Sequence, residues 1–274
     1  MDFLTGNNDA GTLGLGLLIA GTAAGLFNGM LGAGGGLILV PVLYHVLGQL
    51  GVSEDVRLHL AAGTALASLL PTTLAALAAS LKAKGVDTAL LKRWSAPLVV
   101  GAIGGVALAQ HVPVDWLVLL FAVVAMVVAL LMLLGKEGWR LSDQPPRGVG
   151  GQLLPFGLGG LSVMMGISGA SVMGLLLRLC GSARASGTAT GFAAIICTAG
   201  AVASVIAGLD VHGLPQYSYG YVNLMGFGIV APVMYAASRA GAHYASAVEA
   251  KRPRATFALF VILIAGKMVW DVMG

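Results

Sequence analysis

The sequence predicts an all-α polytopic membrane protein built from two inverted-topology repeats, each a re-entrant or broken-helix hairpin plus three spanning helices. Three observations predict it. The 274 residues are 58% hydrophobic and only 9% charged, whereas a soluble domain carries about 25% charged residues. Apolar runs long enough to cross a bilayer, about 20 helical residues, recur along the whole chain, whose mean hydropathy is +0.92. Two of these runs are interrupted by glycine-rich clusters at corresponding places in the two halves.

The apolar segments fall near residues 12–48, 60–80, 95–111, 115–134, 153–177, 187–208, 219–238 and 255–272. The first is too long for one span and carries five glycines between Gly29 and Gly36, so a helix is expected to break there. The opening MDFLTGNNDA has Asp2 and Asp9 but no basic residue. It lacks the pattern of a cleaved signal, and the first segment is expected to stay in the protein. The longest polar gap, Gly135 to Gln152, contains Pro145 and Pro146 and reads as a linker. The expected organisation is a transmembrane repeat over 1–135, a cytoplasmic linker over 136–152 and a second, inverted repeat over 153–274.

A formal net charge of +4 would raise nucleic acid as a partner in a soluble protein. In a membrane chain Lys and Arg mark cytoplasmic loops instead, so the expected surroundings are a lipid bilayer and no nucleic acid. Lys82, Lys84, Lys92 and Arg93 mark one inside loop; Lys136, Arg140 and Arg147 mark the linker; Arg239, Lys251, Arg252 and Arg254 mark a third. The loops around Asp115 and around Asp210 with His212 hold no Lys or Arg and face out. With the linker inside and the Asp210 loop outside, segments 153–177 and 187–208 must together cross an odd number of times. Segment 187–208 has spanning length, so 153–177 enters and leaves on one side, which also keeps Arg178 and Arg184 inside. The full expectation is six spans and two hairpins.

An internal repeat supports this. A shift of 134 residues lays Gly25, Met30, Gly32, Gly35 and Leu43 over Gly159, Met164, Gly166, Gly169 and Leu177, and Asn28 over Ser162. A shift of 124 pairs AAGTALAS (61–68) with ASGTATGF (185–192) and Thr64 with Thr188. The loop after the first glycine cluster is acidic, with Glu54 and Asp55, while its counterpart holds Arg178 and Arg184. The halves therefore read as inverted, an architecture of secondary transporters whose broken segments point to the binding site.

Irregular backbone at membrane depth is tolerated only where it is buried in protein or lines a cavity. The cluster Gly32, Gly34, Gly35 and Gly36 is expected to turn the chain and start a half-helix near Leu37, its free N–H groups and positive dipole end aimed at the midplane. That is a seat for an anion. The second tip, Gly166-Ile-Ser-Gly-Ala-Ser171, adds the hydroxyls of Ser168 and Ser171 beside Gly166 and Gly169. Asn28 and Ser162 are expected to flank the tips, and Thr64 and Thr188 to lend donors from neighbouring helices. No Asp or Glu lies in a predicted span, and Lys267 is near enough to a helix end to snorkel. A carboxylate proton relay and a buried cation are both missing, which favours reversible binding. No cofactor, metal or catalytic residue is expected.

Each of these readings has a plainer rival. Glycines also permit close helix packing, for which Gly21 with Gly25 and Gly101 with Gly105 are candidates. Thr64 and Thr188 can satisfy their own helix backbone. Arg178 can set topology or draw substrate to the inner mouth. Cys180 and Cys197 lack metal-site spacing and read as small buried residues. Gly166-Ile-Ser-Gly169 matches the GxSG of intramembrane serine proteases, but the candidate base, His243, lies beyond Arg239 in a loop that the charges place in the cytoplasm.

The chain resembles the TauE/SafE sulfite exporter family through GLFNGMLGAGGGLILVPVL in the first half, the GTAL helix, the Gly85-Val86-Asp87 turn, and GYVNLMGFGIVAPVMYAASRAGAHYA followed by FALFVILIAGKMVW. The second half departs from the pattern, with Ser168-Gly169-Ala170 in place of three glycines. The resemblance implies a multi-pass protein of the bacterial inner membrane that exports sulfite, sulfoacetate, thiosulfate or a related small organic anion. A passive anion channel on the same seat is the main alternative. A second copy of the chain is a candidate partner.

Overall fold

In the computed structural model, residues 9–31, 35–134, 142, 145–146, 148–244 and 251–273 are described. Among them the chain forms ten helices, α1(Asp9–Leu31), α2(Gly35–Gln49), α3(Glu54–Lys82), α4(Thr88–Ala109), α5(Val114–Leu134), α6(Gly150–Met164), α7(Ala170–Leu179), α8(Ala185–Ala207), α9(Leu224–Tyr244) and α10(Lys251–Met273). The expectation of an all-α fold needs one amendment: a two-residue ribbon, β1(Ser218–Tyr219) and β2(Val222–Asn223), precedes α9. The segment expected to begin at 219 is therefore strand and turn until Leu224, because Gly220 takes φ +56° and folds the chain back on itself. Helix α6 starts at Gly150, within the expected linker.

Both long apolar runs break. The first divides into α1 and α2, 23 and 15 residues long, and the second into α6 and α7, 15 and 10 residues long. The other six helices run unbroken for 21 to 29 residues, or about 31 to 43 Å. Among the described residues, Leu13–Leu31, Glu54–Lys82, Val114–Leu131 and Ala185–Ala207 are long and apolar enough to cross a membrane. Prolines sit inside α2, α3, α4, α6 and α9, at Pro41, Pro71, Pro97, Pro155 and Pro232, an arrangement that neighbouring helices make tolerable in spanning segments.

Glycine decides how the helices pair. On α1, Gly21 lies against Val230 of α9, Gly25 against Met234 and Gly29 against Ser238, so the two helices run side by side in one direction. A Cβ on Gly25 would stand 2.5 Å from Met234 O, and one on Gly29 would overlap Ser238 O. Helices α4 and α6 repeat the arrangement: Gly101 lies on Phe156 O, Gly105 on Gly160 O and Gly159 on Leu98 O. Backbone here touches backbone with no side-chain layer between, the small-residue packing anticipated for Gly21, Gly25, Gly101 and Gly105. Helices α3 and α8 are antiparallel, with Gly63 beside Ser204 and Gly187 beside Ser80. Helix α5 packs on α10.

These pairings give the molecule two chemically distinct ends. At one, Thr190 Oγ1 donates to Ser80 Oγ, Arg93 bonds Pro146 O, and Ser142 N donates to Leu179 O; Lys82, Lys84, Lys92, Arg178 and Arg184 stand exposed around it. At the other, Gln110 Nε2 donates to Ala207 O and His59 Nε2 to Ala109 O. Glu54, Asp55, Asp115 and Asp210 lie there, and Arg57 beside them is tied to Val52 O by bonds of 3.1 and 2.8 Å. We call these the basic end and the acidic end.

Candidate functional site

Helices α2 and α7 run to opposite ends and start face to face. From Gly35, α2 climbs to the turn before Glu54 at the acidic end; from Ala170, α7 descends to Leu179 at the basic end. The start of α2 touches the turn that leads into α7: a Cβ on Gly36 would lie 2.7 Å from Gly166 O, 2.8 Å from Ile167 Cα and 3.1 Å from Ile167 Cγ2. Helix α2 begins at Gly35, two residues before the expected start at Leu37. Gly32 and Gly34 lie outside the described residues.

The second tip is a glycine-built turn. Gly166 and Gly169 take φ +65° and +67°, the left-handed region that side chains avoid. Gly166 N donates to Val163 O and Ile167 N to Ser162 O, which closes α6; Met173 N donates to Gly169 O, which opens α7. Both glycines are also sterically required, since a Cβ on Gly166 would lie 2.6 Å from Ala62 Cα, and one on Gly169 2.6 Å from Ser162 Oγ. Ser162 thus aims its hydroxyl at the capping residue of α7. The first tip is bounded differently, by Leu69 of α3, Met234 of α9 and Ala24 O of α1 around Gly35.

Asn28, in the last turn of α1, Ser162, in the last turn of α6, and Ser168, in the turn before α7, are 8%, 4% and 3% exposed. Ser171 is half-buried in the first turn of α7. No group of three or more metal-ligating side chains occurs among the described residues. Cys180 and Cys197 are free and buried.

Thr64 and Thr188 both have backbone partners outside the tips. Both are fully buried, but Thr64 Oγ1 accepts from Asn223 N at 2.9 Å, at the acidic end. Thr188 Oγ1 accepts from Asp87 N at 2.9 Å and donates to Arg184 O at 2.7 Å, at the basic end. Asn223 and Asp87 are themselves capping residues: Asn223 Oδ1 accepts from Gly226 N at the start of α9, and Asp87 Oδ1 from Leu90 N at the start of α4. Beside each threonine a glycine completes the junction, Gly63 against Tyr221 O and Gly187 against Gly85 O. Sequence reading missed Asn223, Gly63 and Gly187. The shared Val-Asx step before each helix, Val86-Asp87 and Val222-Asn223, was the signal available. Ser68, fully buried one turn beyond Thr64 with its hydroxyl unpartnered, was also missed.

An open groove of about 770 Å³ runs between α3, α4 and α8, lined by Leu74, Ile103, Val202 and Ile206 among others. Its walls are apolar, and no residue of either tip lines it. His243, the base required by the protease reading, is exposed in the last turn of α9 with its ring against Tyr244.

The family model described as Sulfite exporter TauE/SafE matches residues 17–268. The chain belongs to the TauE/SafE family. Membership identifies a membrane protein of a family of transporters for sulfur-containing anions, and the apolar helices supply its membrane-crossing part. The TauE/SafE match takes in α2, α7, both tips and both threonine junctions. No curated protein and no solved structure matches the chain.

Proposed function

We propose that the protein is a secondary carrier of the bacterial inner membrane that exports a small sulfur-containing anion: sulfite, sulfoacetate or a related organosulfonate. The anion binds near the midplane between the tips of α2 and α7. One observation carries this reading: α2 starts at Gly35 and Gly36 against the Gly166-Ile167 turn that leads into α7, and the two half-helices then run to opposite ends. Each start exposes backbone N–H groups and the positive end of a helix dipole, and together they form a seat for negative charge that needs no cation. Asn28, Ser162 and Ser168 add neutral donors; N–H groups around Gly34 to Gly36 and Ser168 to Ser171 are the contacts. An anion must part the two tips to enter, so binding and opening are one event. Holding the ligand by dipoles and neutral donors keeps affinity moderate, as release requires.

In this reading residues 1–135 and 153–274 are inverted repeats on either side of a cytoplasmic linker, with the basic end inside. The matched contacts support it, since α1 on α9 and α4 on α6, Thr64 on Asn223 and Thr188 on Asp87 are the same contacts with the halves exchanged.

Counterflow tests it. Vesicles loaded with unlabelled sulfite should transiently concentrate labelled sulfite; equilibration without overshoot would make the protein a channel, and no protein-dependent flux would end the transport reading. Gly36→Leu should lower flux roughly tenfold or more with insertion intact, since its Cβ meets backbone that cannot yield. Gly35→Leu should cost less, because the nearest obstacle is the flexible end of Met234. Normal flux in Gly36→Leu would remove the site.

A further inference from the structure

Resting on the carrier reading, we propose that the bodies that move during transport are not the two halves of the sequence. They are two mixed arms, α1 with α9 and α4 with α6, each pivoting on a central spine made of α3 and α8 with α2 and α7. Three observations carry this.

The first is the hardness of the arm contacts. Along α1 and α9 an added Cβ would overlap or press on carbonyl groups at Gly25, Gly29 and Gly241, and along α4 and α6 at Gly101, Gly105 and Gly159. Helices that meet backbone to backbone over several turns have no side-chain layer that can shear. Contacts made through side chains do slide by small steps. Each arm joins helices from different halves, so a motion that parted the halves would have to break both of these faces.

The second is where the arms are pinned. The α1–α9 arm is fixed to the spine at the start of α9, by Asn223 N on Thr64 and Tyr221 O on Gly63, at the acidic end. The α4–α6 arm is fixed at the start of α4, by Asp87 N on Thr188 and Gly85 O on Gly187, at the basic end. Each arm therefore has one hinge, and the two hinges lie at opposite ends of the molecule.

The third is what closes the far end of the α4–α6 arm. There the bonds are single and made by side chains: His59 Nε2 to Ala109 O at 3.0 Å, and Gln110 Nε2 to Ala207 O at 2.8 Å. Behind them lies a cavity of about 20 Å³ lined by Ala62, Val106, Val163, Met164 and Tyr221 among others. Parting this end costs two hydrogen bonds and the packing of Gly166 on Ala62 and of Val163 on Gly200. The arm then swings on Thr188, draws the α6–α7 turn away from Gly36, and opens a path from the acidic end to the tips. The α1–α9 arm swings on Thr64 and opens the basic end.

The two descriptions of the moving bodies predict opposite results for two cross-links. Gly21→Cys with Val230→Cys ties α1 to α9, within one arm but across the halves; a Cβ on Gly21 lies 3.7 Å from Val230 Cα, with room for it. Val163→Cys with Gly200→Cys ties α6 to α8, across arm and spine but within the second half; a Cβ on Gly200 lies 2.8 and 3.1 Å from the methyls of Val163, which the substitution removes, and 2.9 Å from Leu66 Cδ1, the far end of a flexible side chain. Both pairs are placed in a Cys180→Ser, Cys197→Ala background and closed with dibromobimane, whose thioether links sulfite does not cleave. Sulfite counterflow is then measured in vesicles before and after linking. The expected result is full activity with the α1–α9 pair linked and loss of activity with the α6–α8 pair linked. The reverse pattern, loss with both, or loss with neither would overturn the proposal. If the second pair fails to fold, the first decides alone, because moving halves require it to block. Absence of flux before linking would instead end the carrier reading, so the two failures are distinct.

Discussion

At the acidic end Thr64 accepts the backbone N–H of Asn223, and at the basic end Thr188 accepts that of Asp87, each at 2.9 Å. A glycine one residue before each threonine lets a carbonyl of the incoming chain sit directly on the helix. The two junctions share this frame and differ in everything around it. Beside Thr64 the incoming chain arrives as the ribbon β1–β2, and Tyr221 stacks its ring on His59, centroids 5.2 Å apart. Beside Thr188 it arrives as a bare turn, Gly85 to Asp87, and the threonine hydroxyl is also engaged by Arg184 O. The frame is set by backbone geometry, which only glycine and a small hydroxyl side chain satisfy, while the surroundings are free to specialise.

The comparison can be broken most forcefully at the glycines. Gly63→Val and Gly187→Val each drive a branched side chain into a carbonyl, and each should destabilise the protein by about 3 kcal/mol. Thermal unfolding in detergent checks this, and tolerance at one site alone would show that the junctions are not equivalent. Next come the threonines. Thr64→Val and Thr188→Val keep the shape but leave a buried N–H unpaired, at a cost of about 1–3 kcal/mol each. The costs should match, because the extra bond from Thr188 is to its own helix; a much larger loss at Thr188 would make Arg184 O part of the junction. The smallest effect belongs to the caps. Asn223→Asp and Asp87→Asn exchange residues of nearly equal capping strength and should each change stability by about 0.5 kcal/mol or less. Both changes should shrink further with added salt, because each alters one charge at a helix N-terminus.

Local features were legible in the sequence, and distant ones were not. The broken hairpins could be read because glycine clusters between Gly29 and Gly36 and between Gly166 and Gly169 contradict a continuous helix on their own. The grouping of Lys82, Lys92, Arg178 and Arg184 at one end follows from a charge rule that acts loop by loop. The candidate tips were legible for the same reason, and the fold brings Gly36 and Gly166 together. Thr64 and Thr188 were matched to each other correctly by spacing, but their partners were not visible. Each bonds to a residue more than 100 positions away, and nothing within the GTAL or GTAT segments records which backbone N–H will arrive. Pairing of α1 with α9 is hidden in the same way: Gly21 and Gly25 announce that something packs closely, without saying what.

That pairing matters during synthesis. Helix α1 emerges before its partner α9, with seven helices between them, so the face of α1 carrying Gly25 and Gly29 must wait in lipid until those seven have been inserted. Its grooved surface is then a vacancy that unrelated helices could fill. A chain cut after Gly208 would leave that vacancy permanent, and quality-control proteases should clear such a fragment faster than the complete protein.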